Sequence, residues 1–150
     1  MDRESLFQGK RLDNRGWVQG SLISFGDGGK AILPSKSDVF QRKGDKFLAT
    51  MDCYEVDPST VGQYTGLTDK NGVKIFEGDI LERRLLPTKR ICTRSVVKFA
   101  PAHAAFAIND MDGGSIVEDY LDSITRMNYE IEVVGNIHDN PELMGGEADG

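Results

Sequence analysis

Cysteine, histidine and long apolar runs are all scarce in this 150-residue chain. Its two cysteines, Cys53 and Cys92, form no CxxC pair and have no histidine at ligand spacing, which argues against a zinc site and against a disulfide framework. They read instead as small apolar side chains of a reducing compartment. No stretch approaches the ~18 apolar residues of a membrane span, and the opening MDRESLFQGK lacks the apolar centre of a signal peptide. A cytoplasmic protein without membrane contact is expected. There is no Walker sequence, no Ser-centred elbow and no paired metal ligands, so neither cofactor nor metal is expected.

What the chain does have is glycine, 17 residues of it, with 39% hydrophobic and 28% charged residues. That is the composition of a globular protein with many turns, and a chain of this length buries a core without staples. A single domain over 1–145 with a flexible tail over 146–150 is the expectation. The stretch from Val61 to Leu81, VGQYTGLTDKNGVKIFEGDIL, organises the rest. Asp69-Lys70-Asn71-Gly72 is a hairpin turn, because Asn and Gly accept the positive φ such a turn demands. Val73, Ile75 and Ile80 mark the strand after it, and Glu77-Gly78-Asp79 punctuates that strand at a bend. A weaker echo lies upstream, where Asp13-Asn14-Arg15-Gly16 separates Leu6–Leu12 from Trp17–Ile23. Further short strands are expected at Ala31–Leu33, Phe47–Met51, Cys53–Val56, Ser95–Phe99, Ala104–Ile108 and Tyr129–Val134. The polar run from Ser35 to Gly44 carries the weakest signal of order.

Gly26-Asp27-Gly28-Gly29 is a turn and not a phosphate loop, since no Gly-Lys-Ser or Gly-Lys-Thr follows it. Asn109-Asp110-Met111-Asp112-Gly113-Gly114 reads as another turn; it lacks the ligand spacing of a calcium loop. After it, Ser115-Ile116-Val117-Glu118 matches a capping box, and the apolar residues to Ile124 recur at helical spacing, which predicts a helix over 116–126. Asn140-Pro141-Glu142 predicts a second helix start. The fold class is therefore mainly β, with antiparallel hairpins forming a small barrel-like or sandwiched sheet and one or two short helices near the C-terminus.

Net charge is −6, but it is uneven. Between Glu82 and Lys98, Arg83, Arg84, Lys89, Arg90, Arg94 and Lys98 face Glu82 alone, leaving +5 there and −11 elsewhere. The segment reads first as a solvated strand, loop and strand whose middle, at Pro87, is an exposed connection. Its alternative use is as a nucleic-acid-binding patch, although no aromatic residues interleave with the cations to stack on bases.

Three blocks, FQGKRLDNRGWVQGSL, VDPSTVGQYTGLTDKNGVKIFEGDIL and IEVVGNIHDNPELM, occur in an order that resembles the YopX family of small phage- and prophage-encoded proteins. The resemblance covers nearly the whole chain and implies a phage or prophage origin and a largely β domain that self-associates. It implies no settled biochemical activity. Catalysis is not expected: Glu77 and Asp79 suit a bend better than an acid/base pair, His103 sits in an Ala-rich connection, and His138 beside Asp139 reads as a loop histidine. The leading expectation is a non-catalytic binding or adaptor protein, a homo-oligomer with a protein partner. Gln63, Tyr64, Thr65, Asn136 and Asn140 are its candidate contacts.

Overall fold

The computed structural model describes residues 5–34, 41–43, 46–48, 52–101, 104–112, 115–120 and 129–144; for 41–43, 46–48, 91–93, 109–112 and 115–120 it describes the backbone alone. The chain divides into two compact units, Met1–Gln63 and Tyr64–Gly150.

In the first unit, β1 (Phe7–Lys10), β2 (Trp17–Ser24), β3 (Lys30–Pro34) and β6 (Tyr54–Val56) form an antiparallel sheet in the order β6-β3-β2-β1. The predicted Asp13–Gly16 turn joins β1 to β2, and the Asn14 carboxamide accepts the Gly16 amide at 2.8 Å. Just past β1, Arg11 bridges to Val56, the Leu12 amide donates to the Glu55 carbonyl at 3.0 Å and the Asp57 amide to the Lys10 carbonyl at 2.8 Å. The sheet thus curls until its outermost strand meets the end of its first. Leu6, Ala31, Ile32 and Val56 fill the interior. Curling this tight demands glycine at position 20: a Cβ there would stand 1.8 Å from the Leu33 carbonyl oxygen. A 3₁₀ turn, Pro58–Thr60, follows β6, capped by the Asp57 carboxylate on the Ser59 amide. Gly62 and Gln63, which open β7 (Gly62–Thr68), pair with Gln8 and Phe7. β4 (Gln41–Lys43), in the weakly patterned run, pairs antiparallel with β5 (Lys46–Leu48), which overlaps the strand expected at Phe47–Met51.

The second unit takes up β7 at Tyr64. β8 (Lys74–Phe76) pairs with β7, and a five-stranded antiparallel sheet follows in the order β12-β11-β10-β9-β13. Its strands are β9 (Asp79–Leu85), β10 (Arg90–Ala100), β11 (Ala105–Asp112), β12 (Ser115–Tyr120) and β13 (Tyr129–Asn136). Strand alternation puts Leu81, Val97, Ile108 and Ile131 on one face, where with Ile75 they form the core. Each such side chain is worth about 1.5–3 kcal/mol when fully buried.

Three expectations are corrected here. Ser115–Tyr120 is strand β12 and not the start of a helix over 116–126, because it pairs in full register with β11, from Asp112 opposite Ser115 to Ala107 opposite Tyr120. Ile116 and Val117 are β-branched and suit that pairing; positions 121–126 fall outside the described residues. Asn109–Asp112, read as turn, are the last residues of β11. At the C-terminal end, Pro141–Met144 is a single 3₁₀ turn in place of a capped helix, and the Asn140 carboxamide turns back to accept the Asn136 amide at 3.3 Å. The mainly β, antiparallel reading stands without the C-terminal helices. The tail at 146–150 lies outside the described residues.

Candidate functional site

The β7–β8 turn is built around Asp69. Its backbone amide donates to the Val73 carbonyl at 2.9 Å, and the Gly72 amide returns to the Asp69 carbonyl at 3.0 Å with Gly72 at φ +80°. A three-residue loop with glycine in the left-handed region is a favoured hairpin closure. The Asp69 side chain does more than this local work. One oxygen accepts the Asn71 and Val73 amides at 2.8 and 2.9 Å, and the other accepts the Val133 amide of β13 at 3.0 Å. Burial alone would raise this carboxyl, but the amides of Val133, Val73 and Asn71, with the Lys70 charge, outweigh it and hold the pKa below its ordinary value. Alongside, the Lys70 amide donates to the Ile131 carbonyl at 3.0 Å. The turn is thereby fastened to β13.

Between that turn, the start of β13 and the β9–β10 connection lies an open cleft of about 240 Å³. Leu86, Tyr129 and Ile131 give it apolar walls, and Thr68, Asp69, Lys70 and Glu130 supply its polar lining. Residues 85–90, Leu85 to Arg90, are all exposed; Leu85 and Leu86 show 39% and 37% of their surface. Thr88 Oγ1 donates to the Leu85 carbonyl at 3.2 Å, and the Lys89 amide donates to the same carbonyl at 2.7 Å. An apolar tip with Lys89 and Arg90 beside it therefore adjoins the cleft.

The basic segment is divided by its own acids. Glu82, almost fully buried, accepts from Arg84 and, at 3.1 Å, from Arg94 Nε; Arg84 also meets Glu132 at 3.0 Å. Lys70 lies 3.1 Å from Glu130 and 3.8 Å from Glu132. Chiefly through the Lys70 hydrogen bond, and also through the charges of Lys89 and Arg84, the Glu130 carboxyl is held below its ordinary pKa. Arg83 stacks over the Tyr129 ring at 5.2 Å, whereas Lys89, Arg90 and Lys98 are exposed. The six cations do not share one face: Arg84 and Arg94 run along a ladder of alternating charge, and Lys89 and Arg90 stand at the tip.

The other candidate contacts each take part in the fold itself. Gln63 closes the first unit opposite Phe7. Tyr64 is buried on Phe76, ring centroids 5.6 Å apart, with the Lys74 ammonium 5.4 Å from the Tyr64 centroid. Thr65 Oγ1 donates to the Ile75 carbonyl at 2.8 Å. Asn136 accepts the His138 and Asp139 amides at 3.0 and 2.9 Å, and its amide nitrogen reaches Asp139 Oδ2 at 3.3 Å, so Asn136, Asp139 and Asn140 organise their own turn. Asp79 is buried at the predicted bend, accepting the Phe76 amide at 2.8 Å; burial, offset in part by that bond and reinforced by Asp69, pushes its pKa up to about 7. His103 is outside the described residues.

Across the chain, the family model described as "YopX protein" matches residues 7–145. The chain belongs to the YopX family. Among solved structures it is similar to the crystal structure of protein EF1440 from Enterococcus faecalis, with a TM-score of 0.59 and 23% identity over 95% of this chain and 99% of that one. At that identity the likeness is one of fold. No curated protein matches it. The distinctive central block of the YopX resemblance, Asp69, Asn71-Gly72 and Glu77-Gly78-Asp79, coincides with the turn that fastens to β13 and with the bend closed by Asp79. Thr68, Lys70, Leu86, Tyr129, Glu130 and Ile131 were not singled out from sequence. From sequence their surroundings read only as scaffold: the Asp69–Gly72 turn, the exposed connection at Pro87 and the Tyr129–Val134 strand. Among the described residues no helix is long and apolar enough to cross a membrane, and no cluster of His, Cys, Asp and Glu is arranged to hold a metal ion.

Proposed function

We propose that this YopX-family chain, of phage or prophage origin, is a non-catalytic binding protein that engages a protein partner through the cleft beside Lys70 and the apolar tip of the β9–β10 connection. The observation that carries this reading is the exposure of Leu85 and Leu86 next to a cleft walled by Tyr129 and Ile131. Isolated exposed apolar side chains are ordinary, but adjacent ones bordering a cavity are what recognition surfaces use. How the acidic side chains are employed also supports it: Asp69 holds three amides, Asp79 closes a bend and Glu82 joins two arginines. Nucleic-acid binding through Lys89 and Arg90 is the competing reading, and Glu130 and Glu132 weigh against it by offsetting neighbouring cations.

The test is affinity capture from bacterial lysate, with and without nuclease, using the wild type and Leu86→Glu, with complexes sized by light scattering. A protein retained by the wild type after nuclease and lost with Leu86→Glu is the expected result. Recovery of nucleic acid that falls steeply with salt, or capture indifferent to Leu86, refutes the reading.

A further inference from the structure

We infer that Asn71 is a covalent modification site: its carboxamide deamidates by reaction with the Gly72 backbone nitrogen, and the β7–β8 turn holds that reaction in check while it stays closed on β13. Asn71 is the one asparagine of the chain followed by glycine. A succinimide ring closes when the nitrogen of the next residue reaches the asparagine Cγ, and a side chain on that residue crowds the approach. At Gly72 the approach is open. A Cβ there would meet nothing within 4 Å, and both residues are exposed to the water that completes the reaction. Asn14, Asn136 and Asn140 lack this combination. Asn14 precedes Arg15 and Asn136 precedes Ile137, and each carboxamide oxygen accepts amides of its own turn; Asn140 precedes Pro141, whose nitrogen has no proton to lose.

The closed turn opposes the attack. The Gly72 amide donates to the Asp69 carbonyl at 3.0 Å, which directs it back across the loop, and the Asn71 amide is fixed on the Asp69 carboxylate at 2.8 Å. To react, the Gly72 nitrogen must leave that carbonyl, swing about the Asn71 Cα–C bond toward Cγ and lose its proton. Opening is resisted by the ties to β13, from the Val133 amide to the Asp69 carboxylate and from the Lys70 amide to the Ile131 carbonyl. Water is the sole co-reactant, and nothing is oxidised or reduced. The Gly72 nitrogen bonds to Cγ, the Cγ–Nδ2 bond breaks and ammonia leaves; water then opens the ring. Attack at Cγ leaves aspartate, and attack at the backbone carbonyl leaves isoaspartate, in which the chain runs through the former side chain. Isoaspartate lengthens the loop by a methylene and sets a carboxylate beside that of Asp69, so the turn grips β13 less firmly. Thr68, Asp69 and Lys70, which line the cleft, are carried with it.

The test incubates the whole chain in oxygen-labelled water at fixed pH and temperature, then follows the fragment that holds Asn71 by peptide mapping and mass spectrometry. Folded wild type, wild type unfolded in guanidinium chloride and Asp69→Ala are compared, with Asn71→Gln as the control that closes a five-membered ring no longer. The unfolded chain is expected to convert at least about tenfold faster than the folded one, because conversion of the folded chain waits on local opening of the turn. Asp69→Ala should fall between them, the new carboxylate should carry the label, and the isoaspartate form, separated by ion exchange, should unfold at a lower denaturant midpoint than unconverted protein. If Asp69→Ala does not fold, folded wild type at graded denaturant below its midpoint carries the test, and a rate indifferent to denaturant overturns the inference. Equal rates in the folded and unfolded wild type, no conversion of the unfolded chain, a folded Asp69→Ala no faster than wild type, or an isoaspartate form as stable as the original likewise overturns it.

Discussion

Replacing Asp69 by Ala tests the attachment of the β7–β8 turn to β13 most directly. The wild-type carboxylate accepts three backbone amides at 2.8, 2.9 and 3.0 Å, and the residue is only 8% exposed. Hydrogen bonds to a charged acceptor are worth about 1.5–3 kcal/mol each in net terms. The amides of Asn71 and Val73 belong to exposed residues and can rehydrate, so each counts only about 0.5–1 kcal/mol; that of Val133 belongs to a half-buried one and counts about 2 kcal/mol. A loss of about 3–4 kcal/mol follows. In urea melts of a protein this size, that is a fall in midpoint of roughly 1.5–2 M at unchanged slope. Asp69→Asn should lie between, since one carbonyl oxygen can serve the turn while its NH₂ group faces the Val133 amide, donor against donor. Acid adds a second readout. Because the native pKa is held below the ordinary 3.8, the carboxylate's contribution is complete above that value and is lost as pH falls through the depressed native one. The gap between wild type and Asp69→Ala should therefore be full at neutral pH and narrow in strong acid. A midpoint shift worth less than about 1 kcal/mol, or a gap that does not narrow, would refute the assignment.

Three further outcomes are expected. Asp79 has a native pKa near 7 against an ordinary 3.8, so the folded protein retains a proton that the unfolded chain releases, and stability should decline as pH rises from about 4 to 7 and then level off. Asp79→Asn keeps an acceptor for the Phe76 amide and removes that decline; at pH 8 it should be more stable than the wild type, on the order of a few kcal/mol, as read from urea melts at acid and alkaline pH. Gly20→Ala should cost at least about 3 kcal/mol, or prevent folding of the first unit, because the added carbon meets a backbone oxygen that cannot step aside; thermal melts by circular dichroism would show it. Glu82→Gln should cost about 2–4 kcal/mol in chemical denaturation, since it leaves Arg84 and Arg94 side by side with less to neutralise them.

Hairpins were legible in the sequence where the signal is local. Asp69-Lys70-Asn71-Gly72 and Asp13-Asn14-Arg15-Gly16 both place an acid or amide two residues ahead of an amide it can accept, and both turns form. The two differ in something no window of sequence carries: Asp69 also reaches Val133, far along the chain, while Asn14 stays within its own turn. Ser115-Ile116-Val117-Glu118 misled for the same reason. A capping box and helical spacing describe a segment in isolation, but this one meets the backbone of β11 across the whole of Asp112 to Ala107. The cleft was invisible because its walls come from three separate stretches, joined where Lys70 bonds Ile131. The basic segment was visible as composition; the neutralisation of Arg84 and Arg94 was not, because Glu132 comes from a strand much later in the sequence and Glu82 matters only by facing both arginines at once.

The attachment of the turn to β13 has a consequence for how copies of the protein meet. Strand β13 is the outermost of its five-stranded sheet, and an outermost strand offers its backbone as a template for another chain. Here the Ile131 carbonyl and the Val133 amide are already taken, by the Lys70 amide and the Asp69 carboxylate. A loop thus stands where an intruding strand would dock, and a single aspartate acts as gatekeeper of that rim. Loss of Asp69 would do more than lower a melting point: it would open a run of ladder positions to neighbours, so the variant's tendency to aggregate should rise faster than its stability falls.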